Sequence, residues 1–180
     1  MSEVHPTVDS RDDPPVAPVP PVISYRPIGV IHSPFSCVEN VPIQPVAAVG
    51  VRGVVEVWPE FAAGLQDLDG FSHVVLLYHF HCVTQTRLTV IPFMDREPRG
   101  VFATRAPVRP NPIGLSVVRL LSVEDNRLHV EGLDVVDGTP LLDIKPYAPE
   151  FDHHPAERIG WLEGARGQVK NTRSDDRFVS

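Results

Sequence analysis

Hydrophobic and polar residues alternate along six short segments of the chain. In each segment the apolar residues recur at every second position or form a short run rich in valine, isoleucine and leucine, which is typical of strands with a buried face. The segments cover residues 28–33, 53–58, 73–79, 114–121, 127–133 and 141–146. Turn-forming residues such as Asp125-Asn126 separate them. Short strands with few helical crossovers predict a mainly β, single-domain protein, an antiparallel or mixed β-barrel rather than a doubly wound parallel sheet.

The regions outside these strands are predicted to be short helices and flexible ends. Pro59 suits the first turn of a helix over residues 59–65, and a second short helix is expected at residues 157–163. Residues 1–24 are rich in proline and bury too little apolar surface to fold alone, so they predict a disordered arm. The barrel domain is expected over residues 25–151, followed by a short helix and tail over 152–180, of which residues 170–180 are predicted to be mobile.

Composition limits the classes of protein to consider. The chain has 180 residues, 42% of them hydrophobic, which suits one domain with a core. Its net charge of -7 argues against non-specific coating of nucleic acid, although four arginines could form a local basic patch: Arg96, Arg99, Arg105 and Arg109. Two cysteines without CxxC spacing predict reduced thiols and a cytoplasmic location. No apolar run reaches the roughly 20 residues of a membrane span.

A proline-rich run at residues 105–116 is the strongest sign of a binding site. Its three prolines fix their own backbone angles and restrict the residues before them, so Ala106, Arg109 and Asn111 are expected to be extended, with their side chains held in set directions. Gly114 then allows a positive φ or close approach by another backbone or a ligand. Guanidinium and amide groups on such a backbone are suited to binding a ligand.

A second polar cluster follows the fifth predicted strand. Asp134 lies at a strand end and is interpreted as a functional carboxylate, whereas Asp137 precedes a glycine, so backbone capping is its simpler alternative. Asp143 and Lys145 share one strand face, where they form either an exposed pair or part of a site. His79 and His81 also share a face, but no third ligand of suitable spacing follows, and no metal site is predicted.

Five motifs together resemble the TsaA-like, or TrmO, family of S-adenosylmethionine-dependent methyltransferases. They cover residues 28–34, 68–73, 100–105, 109–114 and 137–147. The resemblance implies a β-barrel methyltransferase unrelated to the Rossmann type, which works as a homodimer with its cofactor near the subunit interface. It also implies the acceptor, the exocyclic amine of a threonylcarbamoyl-modified adenosine next to the tRNA anticodon.

The resemblance also implies which residues hold the cofactor S-adenosylmethionine. They are Gln44, Pro45, His81, Cys82, Arg105, Leu115, Glu131, Gly132, Leu133 and Asp134. Within this set, Arg105 is expected to pair with the methionine carboxylate, and Leu115 with Leu133 to form an apolar slot for the adenine.

The acceptor is expected to meet a second set of residues. A carboxylate, Asp134 or Asp137, or a backbone carbonyl would orient the attacking amine and help remove its proton, while Asn111 would read an adenine edge. The predicted substrate-binding residues are Arg109, Asn111, Asp143, Lys145 and Tyr147. Two alternatives remain: methylation of a small molecule, which the acidic charge favours, and a non-catalytic module that only binds S-adenosylmethionine.

Overall fold

The structure is a computed structural model that describes residues 22–165, 167, 172–175, 177 and 178. Most of the predicted disordered arm, residues 1–21, lies outside the described residues.

Six of the eight strands close into one barrel. The eight strands are β1 Gly29–His32, β2 Arg52–Val57, β3 His73–His79, β4 Thr89–Val90, β5 Arg99–Gly100, β6 Ile113–Glu124, β7 Arg127–Glu131 and β8 Thr139–Pro146. Around the barrel the order is β1-β2-β7-β6-β3-β8, and every neighbouring pair is antiparallel. Strands β4 and β5 form a separate two-stranded sheet. The prediction of a mainly β barrel with short helices is confirmed.

Alternating burial along the strands explains why the barrel closes. In β3, Val74, Leu76 and Tyr78 are buried while the residues between them are half-buried. Inward apolar side chains from all six strands fill the interior, and each buried Val or Leu stabilises the fold by about 1.5–3 kcal/mol. Closure also removes the free strand edges that an open sheet of this size would expose. The six predicted segments correspond to the six barrel strands.

The helices are short. The predicted helix at residues 59–65 is a 3-10 helix, Pro59–Leu65, with its proline in the first turn. The second predicted helix is displaced, because a 3-10 helix runs over Gly160–Ala165 instead of residues 157–163. A four-residue helix, α1 Pro149–Asp152, was not predicted. No helix among the described residues has the length and apolar character needed to cross a bilayer.

A second apolar cluster lies outside the barrel and supports the segment between β3 and β6. It contains Val90, Val101, Ala106, Val108 and Phe178. Phe178 is 7% exposed, and its ring meets the Phe93 ring edge-on at 5.0 Å between centroids.

The described part of the C-terminal segment also contacts the loop before residue 44. The backbone N–H of Ser174 donates to the carbonyl of Val41 at 2.9 Å, and the N–H of Asn40 donates to the carbonyl of Ser174 at 3.0 Å. The structure therefore differs from the expected mobile tail in its described residues, because apolar burial and backbone hydrogen bonds attach them to the body.

Candidate active site

A chain of three polar side chains enters the barrel interior at the end where β3 finishes and β6 begins. The Tyr78 hydroxyl lies 2.9 Å from the Ser116 hydroxyl, and Ser116 Oγ donates to Asp134 Oδ1 at 2.5 Å. Tyr78 and Ser116 are 3% and 1% exposed, so water does not compete for these bonds. The carboxylate of Asp134 is therefore held from inside the barrel.

Gly114 makes room for this arrangement. It lies opposite Tyr78 in the pairing of β3 with β6. A Cβ atom at position 114 would lie 2.1 Å from Tyr78 Cε2 and 2.5 Å from Cζ, far inside van der Waals contact. Gly114 was expected to allow close approach by another backbone or a ligand, whereas the group that approaches it in the structure is the Tyr78 ring.

The turn after β7 places Asp134. Gly132 adopts φ 98, which side-chain-bearing residues rarely do, and its N–H donates to the carbonyl of Val51 at 2.8 Å. Leu133 then anchors the turn in the core with no exposed surface. Asp134 is thus held in place directly after the Gly132 turn and the buried Leu133.

Burial raises the pKa of the Asp134 carboxyl to about 6, while the hydrogen bond from Ser116, the backbone N–H and the charge of Arg105 act in the opposite direction. Burial also raises the pKa of the Tyr78 hydroxyl, and the negative charge of Asp134 adds to this rise. Tyr78 is therefore neutral at physiological pH, and the pKa of Asp134 is raised towards neutrality.

Arg105 and Gln44 bring two loops together beside this chain. Arg105 Nη1 donates to Gln44 Oε1 at 2.7 Å, and Gln44 immediately precedes the 3-10 helix Pro45–Ala47. The structure therefore places Arg105, Gln44 and Pro45 in one region, where the Arg105 charge acts on both Asp134 and Tyr78.

Arg109 holds the loop that carries Arg105. Its Nη1 donates to the carbonyls of Val101, Thr104 and Ala106 at 3.1, 2.9 and 3.4 Å. Its guanidinium also lies 5.7 Å from the centroid of the exposed Phe102 ring. The sequence assigned Arg109 to the substrate, whereas these contacts give it an internal task in shaping the loop.

His81 and Cys82 directly follow β3 and so lie near the same rim. His81 Nε2 and Cys82 Sγ are 3.3 Å apart, and burial raises the pKa of the Cys82 thiol. Asn111 is exposed in the run before β6, and its side chain makes no hydrogen bond to any residue in the described part of the chain. These three residues border the site without contacting the chain formed by Tyr78, Ser116 and Asp134.

Asp137 has a capping contact instead of a place beside Asp134. Its Oδ1 accepts the backbone N–H of Ser33 at 3.0 Å and lies 3.4 Å from His32 Nδ1. Its own N–H donates to the carbonyl of Phe35 at 2.7 Å. The simpler alternative from the sequence, backbone capping, accounts for these contacts.

The remaining predicted acceptor residues are not brought to this site. Asp143 and Lys145 form a 2.7 Å ion pair on the outer surface, with side chains 42% and 60% exposed. Tyr147 packs edge-on against His73, at the start of β3, about 20 Å along the strand from the site end. Strand register thus separates Tyr147 from the site end, while it places Asp143 opposite Leu77 and Lys145 opposite Val75 on the barrel exterior.

Three predicted cofactor-binding residues differ in how accessible they are to a ligand: Leu133, Glu131 and Leu115. Leu133 has no exposed surface, so it cannot offer an apolar slot to an adenine in this conformation. Glu131 pairs with Arg52 at 3.8 Å, and the neighbouring Val130 points into the core, so Glu131 faces outward. Leu115 is 47% exposed on the outer face, next to the inward Ser116.

Leu115 belongs to an apolar patch on the barrel exterior, which we call the outer strand face. It consists of outward apolar residues of β3 and β6, in which Val75 pairs with Val117, Leu77 pairs with Leu115, and Ile113 lies opposite His79. Ile113 is 42% exposed, so an apolar surface borders the site end of the barrel. Apolar patches of this kind mark surfaces that bind other molecules.

Sequence reasoning missed Tyr78 and Ser116. Ser116 was the available signal, because it is the polar residue in an inward row of β6 that otherwise reads Gly114, Val118 and Leu120. A buried hydroxyl requires a hydrogen-bond partner, which points to a polar group inside the barrel.

Neither a metal nor the cleft beside the small sheet accounts for this site. Within the described ranges, no three His, Cys, Asp or Glu side chains are grouped to hold a metal ion. The cleft has a volume of about 750 Å³ and contains none of the predicted site residues. Its lining includes Arg87, Arg96, Arg177 and Phe178.

Comparison with known proteins agrees with the barrel fold. The family model of the tRNA-methyltransferase O N-terminal domain matches residues 30–153, which contain all six barrel strands except the first residue of β1. The chain belongs to the tRNA-methyltransferase O family. The family and the names of its members identify the chain as an enzyme, a methyltransferase whose cofactor is S-adenosylmethionine.

Individual relatives show how far the similarity extends. A Pyrococcus abyssi protein described as a probable S-adenosyl-L-methionine-binding protein is 55% identical over 90% of this chain and 88% of its own length. The human tRNA (adenine(37)-N6)-methyltransferase is 37% identical over 71% of this chain, which spans 30% of that protein. The crystal structure of TrmO from Pseudomonas aeruginosa has a TM-score of 0.65 and 43% identity, covering 78% of this chain and 62% of that one.

The side chains present suit the charge pattern of S-adenosylmethionine. Arg105 offers a guanidinium for a carboxylate, and Asp134 offers a carboxylate in a region partly removed from water, where a cation is attracted. The outer strand face offers apolar surface through Leu115. A positive sulfonium, a carboxylate and an adenine thus each find a complementary group.

Proposed function

We propose that this methyltransferase acts on tRNA and methylates the exocyclic amine of an adenosine next to the anticodon, in its threonylcarbamoyl-modified form. The acceptor class is supported by the human relative, whose name specifies adenine 37 and its N6 atom. The observation that carries the chemistry is the Asp134 carboxylate, held by Ser116 inside the barrel and close to Arg105.

Arg105 and Gln44 hold the methyl donor in this proposal. Gln44 Oε1 accepts a hydrogen bond from Arg105 Nη1, which leaves the other guanidinium nitrogen atoms to pair with the methionine carboxylate. The three carbonyl contacts of Arg109 fix the loop from which Arg105 extends, so Arg109 is a positioning residue. Leu115 supplies apolar contact for the adenine, whereas Leu133 does not.

Asp134 accepts the proton of the acceptor amine. Bound S-adenosylmethionine would supply an electrophilic methyl group, so that the acceptor nitrogen would gain the methyl carbon and the sulfur would keep the electron pair of the broken C–S bond. The amine loses one proton, and Asp134 as a carboxylate is the base that receives it. Asp137 is less suitable, because its Oδ1 already accepts the N–H of Ser33.

We also propose that two copies of the chain associate through the outer strand face. This face exposes apolar side chains, including Ile113 and Leu115, on paired strands. An interface there would bring the partner's surface to the end of the barrel that holds Arg105 and Asp134. Leu115→Glu is then expected to convert a dimer to a monomer in light scattering, with Leu121→Glu, also 40% exposed on β6 but beyond this face, as the matched control.

The test is methyl transfer from labelled S-adenosylmethionine to tRNA with and without the threonylcarbamoyl modification. We expect label in the modified tRNA and little in the unmodified tRNA. Failure to label either tRNA would reject the tRNA proposal.

Two further measurements separate the alternatives. Label in a pool of small metabolites, with none in tRNA, would favour a small-molecule acceptor, which the acidic charge of the chain supports. Cofactor binding by calorimetry with no acceptor in either pool would favour a binding module. Arg105→Ala is expected to weaken cofactor binding and turnover together, because its guanidinium reaches the ligand.

A further inference from the structure

We propose that Tyr78 and Ser116 are positioning residues that set the proton affinity of Asp134 through a directed chain of hydrogen bonds. This inference rests on the proposed function only for its catalytic consequence, because the hydrogen-bond chain itself is a property of the folded barrel.

The direction of the chain follows from the number of protons available. A serine hydroxyl has one proton to donate, and Ser116 Oγ donates it to Asp134 Oδ1 at 2.5 Å. The 2.9 Å bond between Tyr78 and Ser116 therefore has Tyr78 as the donor. With Asp134 ionised, the order is Tyr78 to Ser116 to carboxylate, and each donor polarises the next.

The surroundings keep this order intact. Tyr78 is buried with its ring packed edge-on against Phe80 at 5.5 Å between centroids, and Gly114 leaves space for that ring. Burial disfavours the tyrosinate, so Tyr78 donates without giving up its proton. The charged group that faces Asp134 is Arg105, on the loop before β6.

Proton uptake reverses the chain without moving heavy atoms. When Asp134 receives the amine proton, its hydroxyl can donate to Ser116, which in turn can donate to Tyr78. No proton leaves the three residues by this rotation, so the proton stays on Asp134 until it passes to solvent. The chain thus favours the carboxylate before transfer and accommodates the neutral acid after it.

The experiment measures the proton affinity of Asp134 directly. In full-length protein, the carbon-13 shift of its side-chain carboxyl is followed against pH by NMR in wild type, Ser116→Ala and Tyr78→Phe. We expect the midpoint to rise by about one pH unit in Ser116→Ala, because a donor to the charged form is lost. Tyr78→Phe should produce a smaller rise in the same direction.

Thr139→Val is the matched control. Thr139 is another buried hydroxyl of the barrel, 3% exposed, but it donates to the carbonyl of Val136 at 2.6 Å and not to Asp134. Its loss should leave the midpoint unchanged. If Ser116→Ala does not fold, Tyr78→Phe and Ser116→Thr serve instead, the latter keeping the hydroxyl and the wild-type midpoint.

Activity provides the second measurement. The acid limb of the pH profile of kcat should move with the NMR midpoint in each variant, while the dissociation constant for cofactor stays within twofold. An unchanged midpoint in both Ser116→Ala and Tyr78→Phe would overturn the inference. Wild type that shows the NMR titration but transfers no methyl to tRNA would overturn the proposed function alone.

Discussion

Asp134 and Asp143 lie in the same stretch of sequence and carry the same functional group, yet the barrel gives them opposite surroundings. Asp134 faces the barrel interior, accepts a hydrogen bond from Ser116, and has a pKa raised by burial to about 6. Asp143 lies on the outer surface with 42% of its side chain exposed and pairs with Lys145. The comparison teaches that the face of the strand or turn, more than the residue type, decides which carboxylate can act as a base near neutral pH.

The strongest test of this difference between Asp134 and Asp143 is to neutralise each carboxylate in turn. Asp134→Asn is expected to lower kcat about 100- to 10,000-fold, because the group that receives the amine proton is lost. Asp143→Asn is expected to change kcat less than twofold. Methyl transfer under saturating cofactor checks both. Equal losses in the two variants would show that burial does not distinguish them.

The raised pKa of Asp134 makes folding stability depend on pH. The folded-state pKa of Asp134, about 6, lies above its ordinary value of 3.8, so folding favours the protonated form. Its contribution to stability is fully present below pH 3.8 and is lost as pH rises through 6, a change of about 3 kcal/mol. Asp134→Asn should therefore be more stable than wild type at pH 8 and lose this advantage towards pH 4.

Urea unfolding at a series of pH values measures this difference. Subtraction of the Asp134→Asn curve from the wild-type curve removes the contributions of other groups, including Asp95 and Asp175, whose arginine partners lower their pKa values. Asp143→Asn provides the control for the loss of an exposed carboxylate. A difference that stays constant from pH 4 to pH 8 would contradict a raised pKa in Asp134.

The packing of Gly114 against Tyr78 gives a further test of the surroundings of Asp134. Gly114→Ala should destabilise the protein by about 1–3 kcal/mol, since its Cβ would overlap the Tyr78 ring that closes the hydrogen-bond chain. Gly100→Ala is the matched control, because a Cβ there meets no atom within 4 Å and φ is -58. Thermal unfolding checks both. Equal stability of the two variants would mean that Tyr78 can move without cost.

The smallest effect is expected at the outer ion pair. Lys145→Met should change stability by less than about 1 kcal/mol, because solvent-exposed pairs contribute little and are screened by salt. Its effect on the dissociation constant for tRNA should be below twofold if Lys145 takes no part in acceptor binding. A tenfold weakening in a filter-binding assay would restore Lys145 to the acceptor site.

The strands were predictable because their signal is local. Alternation of apolar residues in segments such as 73–79 specifies both the strand and the buried face. Arg105 and Gly114 were recognisable for a similar reason, because prolines and a glycine mark a constrained backbone. Asp134 was singled out because it was expected at a strand end and because the family resemblance implied a cofactor contact there.

The positions of the other site residues depend on strand register and loop folding, which cannot be read directly from the sequence. Tyr147 was grouped with Arg109 and Asn111, but antiparallel pairing of β8 with β3 carries it to the start of β3. Leu133 is an apolar residue that was expected to contact the adenine, and it is instead fully buried in the core. The sequence shows only that Arg109 carries hydrogen-bond donors. The folded loop shows that three backbone carbonyls accept from it.

The closed barrel has a consequence for how such a site can be altered. Tyr78 and Ser116 come from strands that each have two hydrogen-bonded neighbours, whereas Gln44 and Arg105 come from connecting segments. The groups that orient Asp134 and the groups that hold the ligand therefore reside on separate structural parts. An engineer can exchange the segments that carry Gln44 and Arg105 to change how a ligand is held, while the turn after β7 keeps Asp134 and the strands keep its hydrogen-bond donors.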